Sequence, residues 1–345
     1  MLNRIHWLNG YLGLGAPKWI YENWMRSLHQ NGDECFFYEN FHSLCSMVDN
    51  LSHQNNVIIF DFALVPFDDS TLFKKIRKWK DLGIIVLSTA YWPHERNDKE
   101  VLRFIQNENI SFFFGERELN SMQEFQKITT APYFVIPNSF DPFIYKYDES
   151  PPTFQYDVSF VGSKLPKKKW FNSIIVPKLK KKYKVFLAGP NWDLHDSILR
   201  SFSFSLRKVK LPSAARLIDQ MRITLTEEQE ALLYKSTKLN LNFHERSNDL
   251  SQVNHLVNQR VFKIAGSGGL QLCDRVQAIS DYFPNEEILI AGFDQDSWFG
   301  IIKDVVSNPS QYNEKRIQAM KTAHRYHTFQ ERVKRLIDLI DKKKK

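Results

Sequence analysis

The sequence predicts an α/β fold in which two Rossmann-like domains face each other across a cleft, followed by a long C-terminal helix. Short apolar runs typical of buried parallel strands alternate with helix-like stretches in both halves of the chain. A turn-rich segment, Tyr147 to Pro152, stands near the middle and is typical of a linker. The 345 residues exceed one ordinary core and suit two domains. We therefore expect an N-terminal domain over 1–150, a C-terminal domain over 151–325, and a final helix with a basic tail over 326–345 that could pack back on the first domain.

Composition indicates a folded protein with an acidic partner. Hydrophobic residues make up 43% of the chain, and the formal net charge is +8. That charge suits a phosphorylated substrate, an anionic lipid surface or a nucleic acid. No apolar run approaches the roughly 20 residues of a membrane span, and the N-terminus lacks a signal-peptide core, so we expect a cytoplasmic protein. The three cysteines have neither disulfide nor zinc spacing, which predicts no metal site built on Cys.

The first half begins with a strand at residues 4–8, a glycine turn containing Gly13 and Gly15, and a helix at 17–31. The turn does not fit G-x-G-x-x-G, so it predicts close approach of a ligand or of the facing domain, not a dinucleotide fingerprint. Further elements follow in alternation: strands at 34–38, 56–62, 84–88, 110–114 and 133–136, and helices at 41–53, 71–82 and 99–107.

Acid/base candidates in this half follow two strands. His94 and Glu95 lie in the loop after the strand at 84–88, and Asp61 lies at the end of the strand before it. Ligands of open α/β sheets bind at the carboxyl ends of the strands, where such groups could transfer a proton. The alternative, that His94 and Glu95 are solvated loop residues, has equal weight.

The second half repeats the pattern. Strands are predicted at 156–161, 185–188, 239–243, 270–273 and 287–291, and helices at 170–182, 226–236, 253–265, 296–307 and 310–340. Gly162-Ser163-Lys164 forms a turn after the first strand, and Gly189 and Trp192 follow the second. The basic segment 201–224 fits no clear pattern.

Arg260 falls on the apolar stripe of the helix predicted at 253–265. It could pair with a carboxylate or extend its charged end to solvent, or its planar fork could bind a phosphate. Helical geometry alone favours the structural role. Gly268 and Gly269 belong to the turn that ends this helix.

Ordered motifs in the second half carry a resemblance to a known family. They are VSFVGSK, VFLAGPNW, YKSTKLNLNF, NQRVFKIAGSGGLQLCD, ISDYFPNEE and HRYHTFQERVKRLIDLI. Together they resemble the C-terminal domain of glycosyltransferases of the spore-maturation CgeB-like group, within the GT-B superfamily. The resemblance covers about half of the chain, and the first half is similar only in layout.

The resemblance implies a nucleotide-sugar donor in the C-terminal domain and a sugar, lipid-linked or protein acceptor in the N-terminal domain, near Gly13 and Gly15. It implies no metal and no cofactor, because basic side chains and helix N-termini would neutralise the diphosphate. The donor residues that it implies are Gly162, Ser163, Lys164, Gly189, Trp192, Arg260, Lys263, Gly268 and Gly269. Synthesis of a cell-surface polysaccharide, glycolipid or glycoprotein would follow.

One position departs from the family. Relatives commonly have Arg-x-Phe-Glu, whose glutamate suits the ribose hydroxyls, whereas this chain has Lys263 there. A lysine cannot accept a hydrogen bond from ribose. Either Lys263 contacts a phosphate, or Glu245 or Asp249 binds the ribose, or the donor is unusual.

Two alternatives stay open at this level. An inverting enzyme would use His94, Glu95 or Asp61 as its base, whereas a retaining one would rely more on the donor's phosphate. The competing function is a non-catalytic protein that binds nucleic acid or an anionic membrane through its lysine tracts, with nucleic acid the weaker case because no aromatic interleaving accompanies them. The basic helix at 71–82 could hold a transferase at a membrane.

Overall fold

The computed structural model describes residues 2–9, 16–49, 55–90, 99–164, 171–192, 194–222, 225–244, 256–292 and 294–344. The chain divides into two units: Met1–Pro137 together with Phe329–Lys345, and Asn138–Thr328. The segment expected to link the domains, Tyr147 to Pro152, lies within the second unit.

The first unit contains a parallel sheet and the helices that cover it. Its strands are β1 (Arg4–Leu8), β2 (Glu34–Tyr38), β3 (Asn56–Phe60), β4 (Ile85–Thr89), β5 (Phe112–Gly115) and β6 (Tyr133–Val135). Its first five helices are α1 (Ala16–Gln30), α2 (Phe41–Val48), α3 (Leu72–Asp81), α4 (Lys99–Ile105) and α5 (Gln123–Ile128).

Within the described residues, the strand order of this sheet is β2-β1-β3-β4-β5-β6, and all of its pairings are parallel. Strand β3 is buried along its whole length, which explains the apolar run at residues 57–60. The chain reverses its direction of travel across the sheet between β1 and β3, and this switch point is where open α/β sheets bind ligands.

The second unit repeats this plan. Its strands are β7 (Tyr156–Val161), β8 (Val185–Ala188), β9 (Thr237–Asn242), β10 (Gln271–Asp274) and β11 (Leu289–Ala291). Its helices are α6 (Val176–Lys180), α7 (Leu194–Lys208), α8 (Pro212–Met221), α9 (Glu227–Lys235), α10 (Gln259–Gly266), α11 (Ile279–Tyr282), α12 (Gln295–Ser307) and α13 (Asn313–Tyr326).

The order of its described strands, β11-β10-β9-β7-β8, is the same topology as that of the first sheet, again with parallel pairing throughout. The equivalent switch point lies between β7 and β9. The predicted α/β fold with paired Rossmann-like sheets is confirmed.

The closing helix differs from its prediction. The sequence predicted one helix over 310–340, but the structure has α13 and α14 (Phe329–Lys344), separated at His327 and Thr328. The break lets α13 and α14 pack into different hydrophobic cores. Residues Val333, Leu336 and Ile340 of α14 recur at helical spacing and are buried in the core of the first unit.

Three other predicted helices have different bounds in the structure. Helix α2 stops at Val48, helix α10 starts only at Gln259, and a π-helical turn, Phe171–Ile175, precedes the short α6. The unassigned segment 201–224 contains the end of helix α7 and the whole of helix α8. No helix of the described residues is long and apolar enough to cross a membrane.

Candidate functional site

Arg260 lies at the switch point of the second sheet. One guanidinium nitrogen, Nη1, donates to the carbonyl of Val161, the last residue of β7, at 2.5 Å. The other, Nη2, donates to the carbonyl of Phe243, which follows β9, at 3.2 Å. The guanidinium also lies over the ring of Phe160, and burial lowers its pKa from the usual arginine value. The part-buried side chain therefore bridges the carboxyl ends of two strands.

Two glycines make room for this arginine. A Cβ on Gly162 would lie 2.6 Å from Arg260 Nη1, and Gly162 has a φ of +154°. A Cβ on Gly189, with a φ of +109°, would lie 2.8 Å from the backbone of Gly162. Trp192 closes the arrangement, because its Nε1 donates to the carbonyl of Gly162 at 2.5 Å. The turns after β7 and β8 therefore pack closely together, and a side chain larger than hydrogen would not fit at Gly162 or Gly189.

The N-terminus of α10 is fixed to the same edge of the sheet. Asn258, the residue before the helix, exchanges two side-chain hydrogen bonds with Asn242 at the end of β9 (3.1 and 2.8 Å). The positive end of the helix dipole is therefore held at the carboxyl ends of the strands, an arrangement that favours an anion.

Two buried residues, His244 and Asp274, complete this edge. Neither was predicted from the sequence. The Nδ1 atom of His244 lies 2.6 Å from Asp274 Oδ1, which also accepts from the His244 backbone N–H at 2.9 Å. Because the carboxylate accepts, Nδ1 carries the proton. The buried Nε2 atom has no hydrogen-bond partner in the structure as described. The signal was present: each residue lies at the carboxyl end of a predicted strand, where α/β sheets place their functional groups.

Lys164 and Ser163 follow Gly162 on this edge. The backbone N–H of Lys164 donates to Pro190 at 2.9 Å, which joins the turns after β7 and β8. Its side chain is exposed, and Nζ lies 5.8 Å from the centroid of the Trp192 ring. The structure thus brings five of the predicted donor residues together around Arg260: Gly162, Ser163, Lys164, Gly189 and Trp192.

Lys263 does not join them, and its prediction as a phosphate contact is corrected. Its side chain is buried, and Nζ lies 3.2 Å from Glu227 Oε1 and 3.3 Å from Glu230 Oε2. Tyr145 and Tyr234 donate their hydroxyls to Glu230, and burial beside that carboxylate raises the pKa of both tyrosines well above the usual value. The charge of Lys263 is therefore already compensated within a buried ion-pair network.

Gly268 and Gly269 also lie elsewhere, because they follow the C-terminus of α10, about 12 Å along the helix from its start. A Cβ on Gly269 would meet Asn240 Nδ2 and the Tyr234 carbonyl, both at 2.8 Å. The carbonyl of Gly268 accepts from Arg316 Nε at 2.7 Å. The two glycines therefore lie apart from the residues around Arg260, and their role as donor contacts stays a prediction.

The first unit contributes one described candidate. Asp61 follows β3 and is buried, and its carboxylate accepts from the Tyr21 hydroxyl and from the backbone N–H of Ala63. Its own N–H donates to the Leu8 carbonyl at the end of β1, so Asp61 lies at the switch point of the first sheet. The remaining predicted residues, Gly13, Gly15, His94 and Glu95, and the possible ribose ligands Glu245 and Asp249, lie outside the described residues.

Comparisons with known proteins agree with this architecture. Residues 168–338 match the family model described as glycosyl transferase-like. No curated protein matches the chain by sequence. Sucrose-phosphate synthase from Thermosynechococcus elongatus is similar in structure, with a TM-score of 0.61 at 8% identity over 99% of this chain and 98% of that one. The chain has the GT-B fold.

Two further solved structures are similar over nearly their whole length. HepE from Anabaena, solved with UDP and glucose, gives a TM-score of 0.60 at 12% identity over 99% of this chain and 100% of that one. A glycosyltransferase from Rickettsia africae gives 0.62 at 11% identity over 98% and 97%. At such low identity the likeness establishes the GT-B fold, and the CgeB-like group stays an expectation from the motifs.

Proposed function

We propose that this protein is a glycosyltransferase that moves a sugar, most simply a hexose, from a nucleotide-activated donor to an acceptor hydroxyl. The observation that carries the proposal is Arg260, held at the switch point of the second sheet by Val161 and Phe243. A fixed guanidinium beside a helix N-terminus suits the diphosphate of a donor, which gains negative charge as the sugar leaves. Trp192 and the exposed Lys164 flank that position.

His244 gives the proposed donor site a second polar group. With Nδ1–H donating to Asp274, a neutral His244 offers the lone pair of Nε2 as an acceptor. A hydroxyl of the donor, on its sugar or its ribose, would satisfy this buried atom. Lys263 is not available to the donor, because its side chain is enclosed by Glu227 and Glu230.

The acceptor and the acid/base chemistry belong to the first unit in this proposal. Asp61, His94 and Glu95 are the candidates for the base, and the turn containing Gly13 and Gly15 for the acceptor side. The charge of the departing nucleotide is met by Arg260 and the α10 N-terminus, so the proposal includes no metal, and chelation is expected to leave the rate unchanged. A cell-surface polysaccharide, glycolipid or glycoprotein is the proposed product.

A panel of nucleotides and nucleotide sugars tests this function. Because HepE was solved with UDP-glucose, UDP and its sugars are the first probes, followed by the GDP, ADP, CDP and dTDP series. We expect calorimetry to detect one nucleotide series and a release assay to detect slow donor hydrolysis. A folded protein that binds no member of the panel would overturn the proposal.

A further inference from the structure

Helices α7 and α8 form a hairpin whose largest apolar side chains face outward. Leu194, Ile198 and Phe202 recur every four residues along α7, which places them on one side of the helix, and they are 76%, 58% and 54% exposed. Small residues are buried instead: Ser203 and Ala215 are joined by a 3.4 Å hydrogen bond from the Ser203 hydroxyl to the Ala215 carbonyl. The other strongly exposed apolar residues of this segment are Phe204, Val209, Leu211, Leu217 and Met221.

This pattern is the reverse of an ordinary amphipathic helix, which turns its apolar face to the core. Helix α3 of the first unit follows the ordinary pattern, since Leu72, Ile76 and Trp79 are buried. Contiguous exposed apolar surface marks a binding surface for a membrane or another protein. The exposed surface of α7 and α8 is therefore a stronger candidate for a binding interface than helix α3.

The charge of the hairpin restricts its partner. Residues 194–222 contain six lysines and arginines and two aspartates. Both aspartates are already engaged, because Asp196 accepts from Arg222 at 2.8 Å and Asp219 from Arg207 at 2.5 Å. The exposed lysines and arginines that remain, Arg200, Lys208, Lys210 and Arg216, give the surface a positive excess. Exposed phenylalanine and leucine interleaved with lysine and arginine are characteristic of segments that lie in a lipid interface.

We propose that the α7–α8 hairpin binds the surface of an anionic membrane, with its exposed apolar side chains inserted at the level of the headgroups. A second copy of the chain is a poorer occupant, because two hairpins of the same positive charge would repel each other. A lipid surface satisfies both features at once: anionic headgroups attract the lysines and arginines, and the acyl boundary takes up leucine, isoleucine and phenylalanine. This inference does not depend on the proposed transferase activity.

Co-sedimentation of the full chain with vesicles tests it. Vesicles of phosphatidylcholine alone are compared with equimolar phosphatidylcholine and phosphatidylglycerol. We expect binding to the anionic vesicles, reversed by salt. The triple variant Lys208→Gln/Lys210→Gln/Arg216→Gln should bind them about 100-fold more weakly, at roughly a factor of five for each charge. The variant Ile198→Ser/Phe202→Ser/Leu217→Ser should lose a similar amount through its apolar contacts.

The matched control places the same number of substitutions on α3: Lys74→Gln/Arg77→Gln/Lys80→Gln, all exposed side chains. This variant should bind as the wild type does. Thermal unfolding and nucleotide binding should be unchanged in all three variants, which separates the result from folding and from the donor site. Absence of binding to anionic vesicles, equal binding by the hairpin variants, loss on α3 alone, or a dimer in solution that the apolar variant dissociates would each overturn the proposal.

Discussion

The two sheets share one strand order but carry opposite charge at their switch points. In the first unit, the residue between the ends of β1 and β3 is Asp61, a carboxylate held by Tyr21 and Ala63. In the second, the position between β7 and β9 is taken by Arg260. Equal topology therefore supports different chemistry, because the side chains that lie at a sheet edge, and not the strands themselves, determine what that edge can bind.

Under the proposed function, this difference gives the two edges separate roles. A fixed cation suits the diphosphate of a donor, whereas a fixed carboxylate suits a hydroxyl group that must lose a proton. If this assignment is right, substitutions at one edge should change nucleotide affinity and substitutions at the other should change turnover. The following predictions test that separation and the structural role of Lys263.

Asp61→Asn should lower turnover by at least about 100-fold while nucleotide affinity stays the same, because the amide cannot take a proton. Steady-state rates and calorimetry on the folded fraction measure the two effects. Asp69→Asn is the matched control, since Asp69 is a partly exposed carboxylate that accepts from the backbone N–H and the hydroxyl of Thr71. If Asp61→Asn turned over at the wild-type rate, the role of the base would pass to His94 or Glu95.

Lys263→Met should lower the free energy of unfolding by about 3–5 kcal/mol, because Glu227 and Glu230 would be left buried without their cation. Chemical denaturation measures this change. Adding Glu230→Gln should restore part of the loss. A variant of normal stability whose nucleotide affinity falls would return Lys263 to the donor site.

Arg260→Ala should weaken nucleotide binding by about 100-fold, through loss of a charge-assisted contact with the diphosphate. Arg316→Ala provides the control, because Arg316 is another arginine of the second unit, buried and with a pKa lowered to about 10 by that burial, and it donates to the Gly268 carbonyl. It should lose stability without losing affinity. Equal losses of affinity in the two variants would mean that Arg260 acts only through the fold.

His244→Phe should weaken binding of the complete nucleotide sugar by about 10-fold, since the ring loses the acceptor at Nε2. If the partner is a sugar hydroxyl, the free nucleotide should bind as before, whereas a ribose partner would weaken both. Asp274→Asn, which removes the carboxylate that orients the ring, should show the same pattern at smaller size. Unchanged affinity for both ligands would place His244 outside the donor site.

Gly162→Ala should weaken nucleotide binding by roughly 5-fold, because the added Cβ would displace Arg260 Nη1. Gly83→Ala is the control: its φ is +76°, and nothing lies within 4 Å of its added Cβ, so it should affect stability alone. If both substitutions left affinity intact, the arrangement of Gly162 and Arg260 would not matter for the ligand.

Much of the fold followed from the sequence because buried parallel strands such as β3 and β5 have short apolar sequences between turn residues. Tertiary contacts determined the rest. Sequence periodicity did not reveal the break at His327, since α13 and α14 both have helical patterns, nor the helices α7 and α8, whose large apolar side chains face outward.

The candidate site was predictable to a similar extent. Gly162, Gly189 and Arg260 were recognisable from their turns and motifs and come together in the structure. The role of Lys263 was not, because its partners Glu227 and Glu230 lie on another helix, more than thirty positions earlier in the chain. A buried ion pair formed over such a separation leaves no local pattern in the sequence.

Hydrogen–deuterium exchange with and without the tightest-binding nucleotide of the panel tests whether the donor binds at Arg260. We expect slower exchange in peptides of the second unit that contain Gly162, Trp192 and the start of α10. We expect no change at Asp61 or elsewhere on the carboxyl edge of the first sheet. Protection of the first edge, or of neither, would contradict the assignment of the donor to Arg260.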